Sequence, residues 1–289
     1  MHKILILGAN GMLGTAVLRA FSNARFHVIV TTRQIQLNKA LNHIRYDAAA
    51  QSFDDIARGL PSIDLVINCI GIIKQKNRHD DSTSTERMFR VNSEFPSEII
   101  AASTKYDFKV LTIATDCVFS GREGNYSEVS QHDPCDSYGH SKSRGEIKHN
   151  NLMTLRTSII GPDDPTNASL HNWLTSQPYL TEIPGYTDHL WNGVTTHAFS
   201  KVAVGVASMH KFHSGTFHLT PEDAISKYEL LKLIAAKRNR ADLKIIPQKS
   251  SNPIDRRLVT VHPSINAELW QKAGYVNAPK IVELIEEML

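Results

Sequence analysis

The chain has 289 residues, of which 41% are hydrophobic and 21% charged, with a net charge of +3. This balance favours a packed globular core over disorder. A mild positive excess with no basic stripe and no interleaved basic and aromatic patch excludes a dedicated nucleic-acid binder. The length fits one nucleotide-binding domain and a smaller second lobe.

The first apolar run, Ile4 to Leu7, is broken by Gly8. It is too short for a secretory core or a membrane span, so a cytoplasmic protein without a membrane partner is expected. The three cysteines, Cys69, Cys117 and Cys135, show no Cys-x-x-Cys spacing. That argues against a disulfide framework and a structural zinc site. Short continuous apolar runs then alternate with helical patterns, the signature of a parallel α/β sheet. The runs Ile4–Leu7, His27–Thr31, Leu65–Ile70, Lys109–Ala114 and Met153–Thr157 read as strands. Met12–Phe21, Ser52–Arg58, Glu86–Tyr106 and Tyr138–His149 read as helices, with Pro96 at a kink or boundary of the longest.

The predicted fold is a doubly wound parallel Rossmann sheet spanning residues 1–160, with a return segment near 194–220. Residues 161–289 are expected to form mainly a substrate-binding lobe. There the predicted elements are a helix over Ala198–His210, a strand over Thr216–Leu219 and a helix over Lys227–Arg238.

The first strand runs into Gly8-Ala9-Asn10-Gly11-Met12-Leu13-Gly14 and then into a helix. Gly8 permits a tight turn, Gly11 lets the backbone approach a pyrophosphate, and Gly14 lets the helix pack close to the strand. The free N–H groups of the helix N-terminus then face the phosphates. The spacing G-x-x-G-x-x-G differs from the simplest dinucleotide fingerprint, but its place between strand and helix is right for one. The second strand ends in Thr31-Thr32-Arg33, where an NAD site usually carries an acid. Arg33 offers a guanidinium to a 2′-phosphate instead, which favours NADP. Asp47, after the third strand, could accept a bond from the adenine amino group or cap the following segment.

Tyr138 and Lys142 stand four residues apart, which places them on one face of a helix. Such a lysine can lower the tyrosine pKa and hold the nicotinamide ribose, while the tyrosine gives a proton to a carbonyl oxygen. Thr115, at the end of a buried strand, could bond to the same oxygen. Of the 14 histidines none forms a metal-binding spacing, and all read as ordinary, mostly surface, residues. His140 should point away from Tyr138.

The glycine loop, Thr115, Tyr138 and Lys142, with Asp64 to Cys69 and Val91-Asn92, resemble the extended short-chain dehydrogenase/reductase family. Thr115-Asp116-Cys117-Val118-Phe119-Ser120-Gly121, Tyr126-Ser127-Glu128, Tyr138-Gly139-His140-Ser141-Lys142 and Leu155 to Gly161 resemble its dTDP-4-dehydrorhamnose reductase branch. The match is dense from residue 4 to about 162 and thins beyond. The resemblance implies an NADP(H)-dependent reductase of the 4-keto group of a nucleotide-diphosphate deoxysugar. Thr115, Tyr138 and Lys142 would be catalytic, Gly8 to Gly14, Cys69 and Gly71 would hold cofactor, and Asn92 would be structural or bind water. Asp116, Cys117, Trp191 and Arg256 would face the substrate. Trp191 could equally anchor its loop, and Arg256 could equally be a surface ion-pair residue.

Two departures concern the substrate. Cys117 stands where the family commonly has tyrosine, and Leu190 to Thr196 replaces its usual Asp-Gln-x-Gly-x-Pro-Thr. Thr15-Ala16 stands where some relatives carry a metal-binding acid, so no metal is expected. An epimerase of the same fold, or a non-catalytic NADP-binding subunit resembling that of methionine adenosyltransferase, are the alternatives. A dehydratase is disfavoured because no acid follows Asp116. The oligomeric state is open, a homodimer being one expectation.

Overall fold

The continuous apolar runs lie side by side in a single sheet, as expected of strands covered on both faces. The computed structural model describes residues 2–34, 42–73, 82–163 and 169–288. In chain order the first half contains β1 (Lys3–Leu7), α1 (Met12–Ser22), β2 (His27–Thr32), β3 (Asn42–Arg45), α2 (Phe53–Ala57), β4 (Leu65–Asn68), α3 (Ser82–Phe89), α4 (Phe95–Tyr106), β5 (Lys109–Ala114), α5 (Ser137–Arg144) and β6 (Leu152–Arg156). The second half contains β7 (Ile159–Ile160), α6 (Leu170–Thr175), β8 (Glu182–Tyr186), β9 (His189–Trp191), β10 (Val194–Thr195), α7 (Thr196–Ala207), β11 (Gly215–His218), β12 (Ile225–Ser226), α8 (Lys227–Lys237), β13 (Lys244–Gln248), β14 (Ile254–Asp255), α9 (Pro263–Lys272) and α10 (Ile281–Met288).

The main sheet has seven strands in the order β11-β6-β5-β4-β1-β2-β3, all parallel. The chain leaves β1 toward β2 and β3, then crosses back to β4, so strand order reverses between β1 and β4. A ligand crevice opens outside the carboxyl ends of the strands at such a point. Leu7 pairs with Asn68 there, and Gly8 and Cys69 follow directly. Helices cover both faces. On one, α1 and α7 pack together and bury Val17, Phe21, Phe199 and Val202 with the strand residues Ile4 and Ile6. On the other, Phe53, Phe95 and Ile99 close over Leu5, Leu7 and Val66. A third apolar cluster, around Leu174, Trp191, Leu230 and Ile234, holds the small sheets of the second half together.

The single helix expected over Glu86–Tyr106 is broken. A π-helical turn, Arg90–Glu94, separates α3 from α4, and Pro96 falls in the first turn of α4. Proline lacks the N–H that an uninterrupted helix would need. The wider turn absorbs this, with the Phe95 N–H bonded to Arg90 O. The helix expected over Tyr138–His149 ends at Arg144. A Cβ on Gly145 would lie 1.9 Å from Asn92 O, so the chain passes against the π-helical turn there and only glycine fits. Among the described residues no helix is long and apolar enough to cross a membrane.

Candidate active site

The glycine turn has the geometry read from its spacing. Gly8 has φ of +78°, and a Cβ there would meet Ile70 Cγ1 at 2.7 Å. A Cβ on Gly14 would lie 2.1 Å from Gly8 O, so the helix packs on the turn. At Gly11 a Cβ would meet nothing closer than 3.5 Å. The space above Gly11 is therefore free for an approaching group. Gly11 caps α1 without a side-chain bond, and the first turn carries no acid. These orphan N–H groups and the helix dipole form an anion-binding end. Asn10 is exposed, Met12 is half-buried, and Leu13 sends its side chain into the core. Leu13 thus offers only its main chain to a ligand.

Thr31 ties the turn to β2, its Oγ1 accepting from Gly8 N at 3.1 Å and its carbonyl from Ala9 N at 3.0 Å. Arg33 follows β2 and is exposed beside the crevice. Asp47 is more committed than expected. Its carboxylate accepts from Ala49 N at 3.0 Å and pairs with Arg87 at 3.4 Å. Cys69 is half-buried at the end of β4, its thiol pushed up to about 12 by burial. Gly71 is exposed two residues on.

Thr115 ends β5 and caps a short 3-10 turn, Asp116–Val118, with its hydroxyl accepting from Cys117 N at 3.2 Å. Tyr138 lies in the first turn of α5, which Asp136 caps through Gly139 N at 2.8 Å. The two segments are locked together. A Cβ on Gly139 would lie 2.4 Å from Cys117 O. The Thr115 hydroxyl is close enough to pull the Tyr138 pKa down, and Lys142 Nζ donates to Ile113 O at 3.3 Å. The structure thus brings Thr115, Tyr138 and Lys142 together. His140 is exposed, on the opposite side of the helix.

The electrostatics correct one expectation. Lys142 was to lower the pKa of Tyr138. Instead burial raises the Tyr138 hydroxyl well above its ordinary value, with the Cys117 thiol adding to the rise. Lys142 is itself pushed down by burial. At Lys142 desolvation outweighs the pull of Glu146, and at Tyr138 the neighbouring acidic groups act in the same direction as desolvation, against the Thr115 hydroxyl. Tyr138 is therefore held in its protonated, donor form.

Asn92, in the π-helical turn, braces this arrangement. Its amide accepts from Ile72 N at 2.9 Å and donates to Ile72 O at 2.9 Å and to Ser141 Oγ at 3.0 Å. Ser93 Oγ donates to Ser141 O at 2.7 Å. One buried turn thus orients both the loop after β4 and the helix carrying Tyr138.

On the substrate side, Arg256 Nε donates to Phe119 O at 2.9 Å and its Nη1 lies 3.7 Å from Cys117 Sγ. The surface ion pair is made by its neighbour Arg257, with Asp255, at 2.6 Å. Asp116 sits beside Thr115, its carboxyl raised by burial against the opposing pull of Arg256. The Cys117 thiol is pushed up to about 12 by burial, so it is no ready nucleophile. Of the two roles left open for Trp191, the structure favours the anchor. Trp191 is only 8% exposed, belongs to the third apolar cluster, and donates from its indole to Ser158 Oγ at 2.9 Å. Its polar atom is used within the protein, so it anchors the loop and presents no stacking face.

Two features escaped the sequence reading. Lys227, at the start of α8, lies within electrostatic reach of Asp116 and Cys117. Arg156, at the end of β6, donates to Glu146 Oε2 at 2.5 Å, to His218 Nε2 at 2.6 Å and to His132 Nε2 at 2.9 Å. His218 is fully buried and His171 nearly so, the two exceptions among the described histidines to a mostly surface reading. His218 Nδ1 donates to Val259 O at 2.7 Å. Among the described residues no group of three or more His, Cys, Asp or Glu is placed to hold a metal ion.

Comparison with known proteins agrees with this construction. The family model of the RmlD substrate binding domain matches residues 1–289. Methionine adenosyltransferase 2 subunit beta of Bos taurus is 23% identical over 93% of this chain and 80% of its own length. The probable low-salt glycan biosynthesis reductase Agl14 of Haloferax volcanii is 24% identical over 76% of this chain and 75% of its own. The crystal structure of dTDP-4-dehydrorhamnose reductase from Bacillus anthracis in complex with NADP superposes with a TM-score of 0.78 at 18% identity, covering 99% of this chain and 98% of that one. A seven-stranded parallel sheet, a glycine turn at its switch point and a match from the first residue to the last lead to one assignment: the chain belongs to the RmlD substrate binding domain family.

Proposed function

We propose that the protein is an NADPH-dependent reductase of the 4-keto group of a nucleotide-diphosphate deoxysugar. The observation that carries this reading is the convergence of Thr115, Tyr138 and Lys142 at the carboxyl edge of the sheet that also bears the glycine turn. The open approach at Gly11 and the acid-free N-terminus of α1 fit a dinucleotide pyrophosphate. Arg33 is the exposed cation available for a 2′-phosphate. Cys69 and Gly71 line the crevice after β4, and Asp47 keeps its place at the end of β3. Lys142 exchanges its bond to Ile113 O for the ribose.

When bound, the reduced cofactor supplies the hydride that adds to the carbonyl carbon. Tyr138 gives its phenolic proton to the carbonyl oxygen, so the ketone becomes a secondary alcohol. Thr115 donates a hydrogen bond to that oxygen and stabilises the charge that grows on it. The phenolate left behind accepts stabilisation from Thr115 and Lys142, and takes a proton back from solvent. The braced Asn92–Ser141 contact keeps the α5 face in register with β5, as positioned acid catalysis requires.

The test is a panel of 4-keto nucleotide sugars, uridine- and thymidine-linked, assayed for oxidation of NADPH and of NADH. Consumption of NADPH with formation of the 4-hydroxy product supports the reading. Retained bound NAD with 4-epimerisation and no net oxidation would replace it by an epimerase. Binding of NADPH with no turnover on any sugar would replace it by a binding subunit.

A further inference from the structure

Arg156 is buried against the carboxylate of Glu146, and its guanidinium is shared among three segments. Nε donates to Glu146 Oε1 at 3.1 Å and Nη2 to Glu146 Oε2 at 2.5 Å, a two-pronged pairing. Nη2 also donates to His132 Nε2 at 2.9 Å, and Nη1 to His218 Nε2 at 2.6 Å. The Phe119 ring lies beneath, its centre 5.2 Å from the guanidinium carbon. A guanidinium only donates. Both Nε2 atoms are therefore acceptors, and the single proton of each ring sits on Nδ1. The Nδ1 partners agree. His218 Nδ1 faces Val259 O, which only accepts, at 2.7 Å, and His132 Nδ1 faces Ser143 Oγ at 2.8 Å. Both imidazoles are thus held neutral and in one tautomer.

These bonds join the two halves of the proposed site. In the sheet Arg156 pairs with Ala114, the residue before Thr115, and with His218. Ser143 directly follows Lys142, and Glu146 lies in the turn that ends α5. There Gly145 N donates to Lys142 O at 3.1 Å and Glu146 N to Ser143 O at 3.3 Å. His132 precedes Asp133, whose N–H donates to Val118 O at 3.1 Å and whose carboxylate accepts from Ser120 N at 2.8 Å. One side of the junction is therefore the helix of Tyr138 and Lys142, and the other is the loop that begins at Thr115. His218 adds the C-terminal segment, because Glu128 accepts from His218 N at 2.8 Å, Thr260 Oγ1 at 2.6 Å and Val261 N at 2.9 Å.

We propose that Arg156 is a positioning residue for the reaction: through Glu146, His132 and His218 it fixes the Lys142 helix against the Thr115 loop, and a proton on either imidazole loosens that hold. The reaction is that of the reductase reading; the junction rests on geometry alone. A protonated imidazole turns an N–H toward the N–H it had accepted from. One bond is then lost, and two cations face each other in a site shielded from water. The charged groups that face the two rings are Arg156 from β6, Glu146 from the turn after α5, Asp133 beside His132, and Glu128 earlier in the same loop. Burial and the guanidinium hold both rings below the ordinary histidine range, against the pull of these carboxylates. The junction is therefore closed at neutral pH and opens in acid.

The experiment follows amide hydrogen exchange and steady-state reduction in the full chain, as wild type, Arg156→Lys and the double variant His132→Gln/His218→Gln. Lysine keeps a charge beside Glu146, so the carboxylate is not orphaned, but it cannot make the two-pronged pairing and also reach both rings. Glutamine keeps an acceptor where Nε2 stood and does not titrate. Protection of the Ser120, Asp133 and Gly145 amides should fall by about one to two decades in Arg156→Lys, the scale of lost charge-assisted bonds. In wild type the same protection, corrected for the intrinsic pH dependence of exchange, should fall from roughly pH 7.5 to 4.5, and it should fall less in the double variant. With NADPH and an accepted 4-keto sugar, Arg156→Lys should lower kcat by about 10–100-fold at a temperature where it is folded, while the KM for NADPH hardly moves. A lower Tm with kcat unchanged would reduce Arg156 to a structural role and overturn the proposal. So would undiminished protection in Arg156→Lys, or the same acid loss in wild type and double variant. If no 4-keto sugar is reduced by wild type, the reductase reading fails, and the exchange series still decides whether Arg156 holds the junction.

Discussion

Gly139 and Cys117 meet so closely that the missing Cβ of one would stand 2.4 Å from the carbonyl oxygen of the other. This contact sets the distance between the helix bearing Tyr138 and the turn bearing Thr115. Backbone cannot yield as a flexible side chain does. Gly139→Ala is therefore expected to push α5 off the turn, at a cost of about 1–3 kcal/mol in stability, and to lower turnover by more than it lowers cofactor binding. Thermal denaturation and steady-state reduction with NADPH check this. Full activity with unchanged Tm would mean that the contact is not rigid.

Tyr138→Phe removes one hydroxyl and keeps the ring. Folding and NADPH binding should persist, while reduction slows by about 10²–10⁴-fold, the usual span for loss of a positioned general acid. Lys142→Met should slow reduction and also loosen NADPH. Steady-state rates, with cofactor affinity followed by fluorescence, separate the two. Near-wild-type reduction by Tyr138→Phe would move the proton donor elsewhere.

Arg33→Ala should raise the KM for NADPH by about tenfold, the low end of a charge-assisted contact because the side chain is exposed. The KM for NADH should hardly move. An equal change in both would show that Arg33 does not read a 2′-phosphate.

Trp191→Ala should behave as a core substitution. Loss of a buried indole and its bond to Ser158 is expected to cost about 3–5 kcal/mol, seen as a lower Tm. At a temperature where the variant is folded, its KM for nucleotide sugar should match wild type. A raised KM with unchanged Tm would restore the substrate-stacking role.

His218 carries a pH signature. Burial and the Arg156 guanidinium lower its pKa from the ordinary 6.5 to about 4. The unfolded chain therefore binds a proton that the folded chain refuses between these values. Stability should be full above about pH 6.5, fall as the pH drops toward 4, and level off below, where both states are protonated. His132 is lowered by burial in the same network and adds in the same sense. Denaturant unfolding from pH 7.5 to 4 should show a shallower acid loss for His218→Gln than for wild type. Identical slopes would assign the acid loss to carboxylates alone.

The parts of the site legible from sequence were those carried by one local segment. Gly8, Gly11 and Gly14 each do a job that a turn of seven residues defines. Tyr138 and Lys142 share a helical face because four residues make about one turn. What was not legible depends on partners far along the chain. The indole of Trp191 bonds to Ser158, 33 positions away, and no periodicity announces that. Lys227 reads as the ordinary start of an amphipathic helix until β12 and β14 are seen to flank β9. The π-helical turn was half visible, because Pro96 signalled an interruption but not its form. The tyrosine–lysine pattern gave spacing without solvent exposure, so the sign of the Tyr138 shift, which burial decides, could not be read from it.

The loop that follows Thr115 is held by residues made long after it. Arg256 reaches Phe119 across 137 positions, Tyr126 N donates to Arg257 O at 2.9 Å, and Val259 N donates to Tyr126 O at 2.8 Å. Glu128 accepts from Thr260 Oγ1 at 2.6 Å. A ribosome adding roughly 5–20 residues per second would leave that loop without its clasp for about 7–27 s. During synthesis the glycine turn and the first strands can assemble while the pocket floor beside Thr115 is still unfinished. Capacity to hold a dinucleotide would thus precede capacity to seat a second ligand, and a nascent chain could be stabilised by cofactor before it is able to turn anything over.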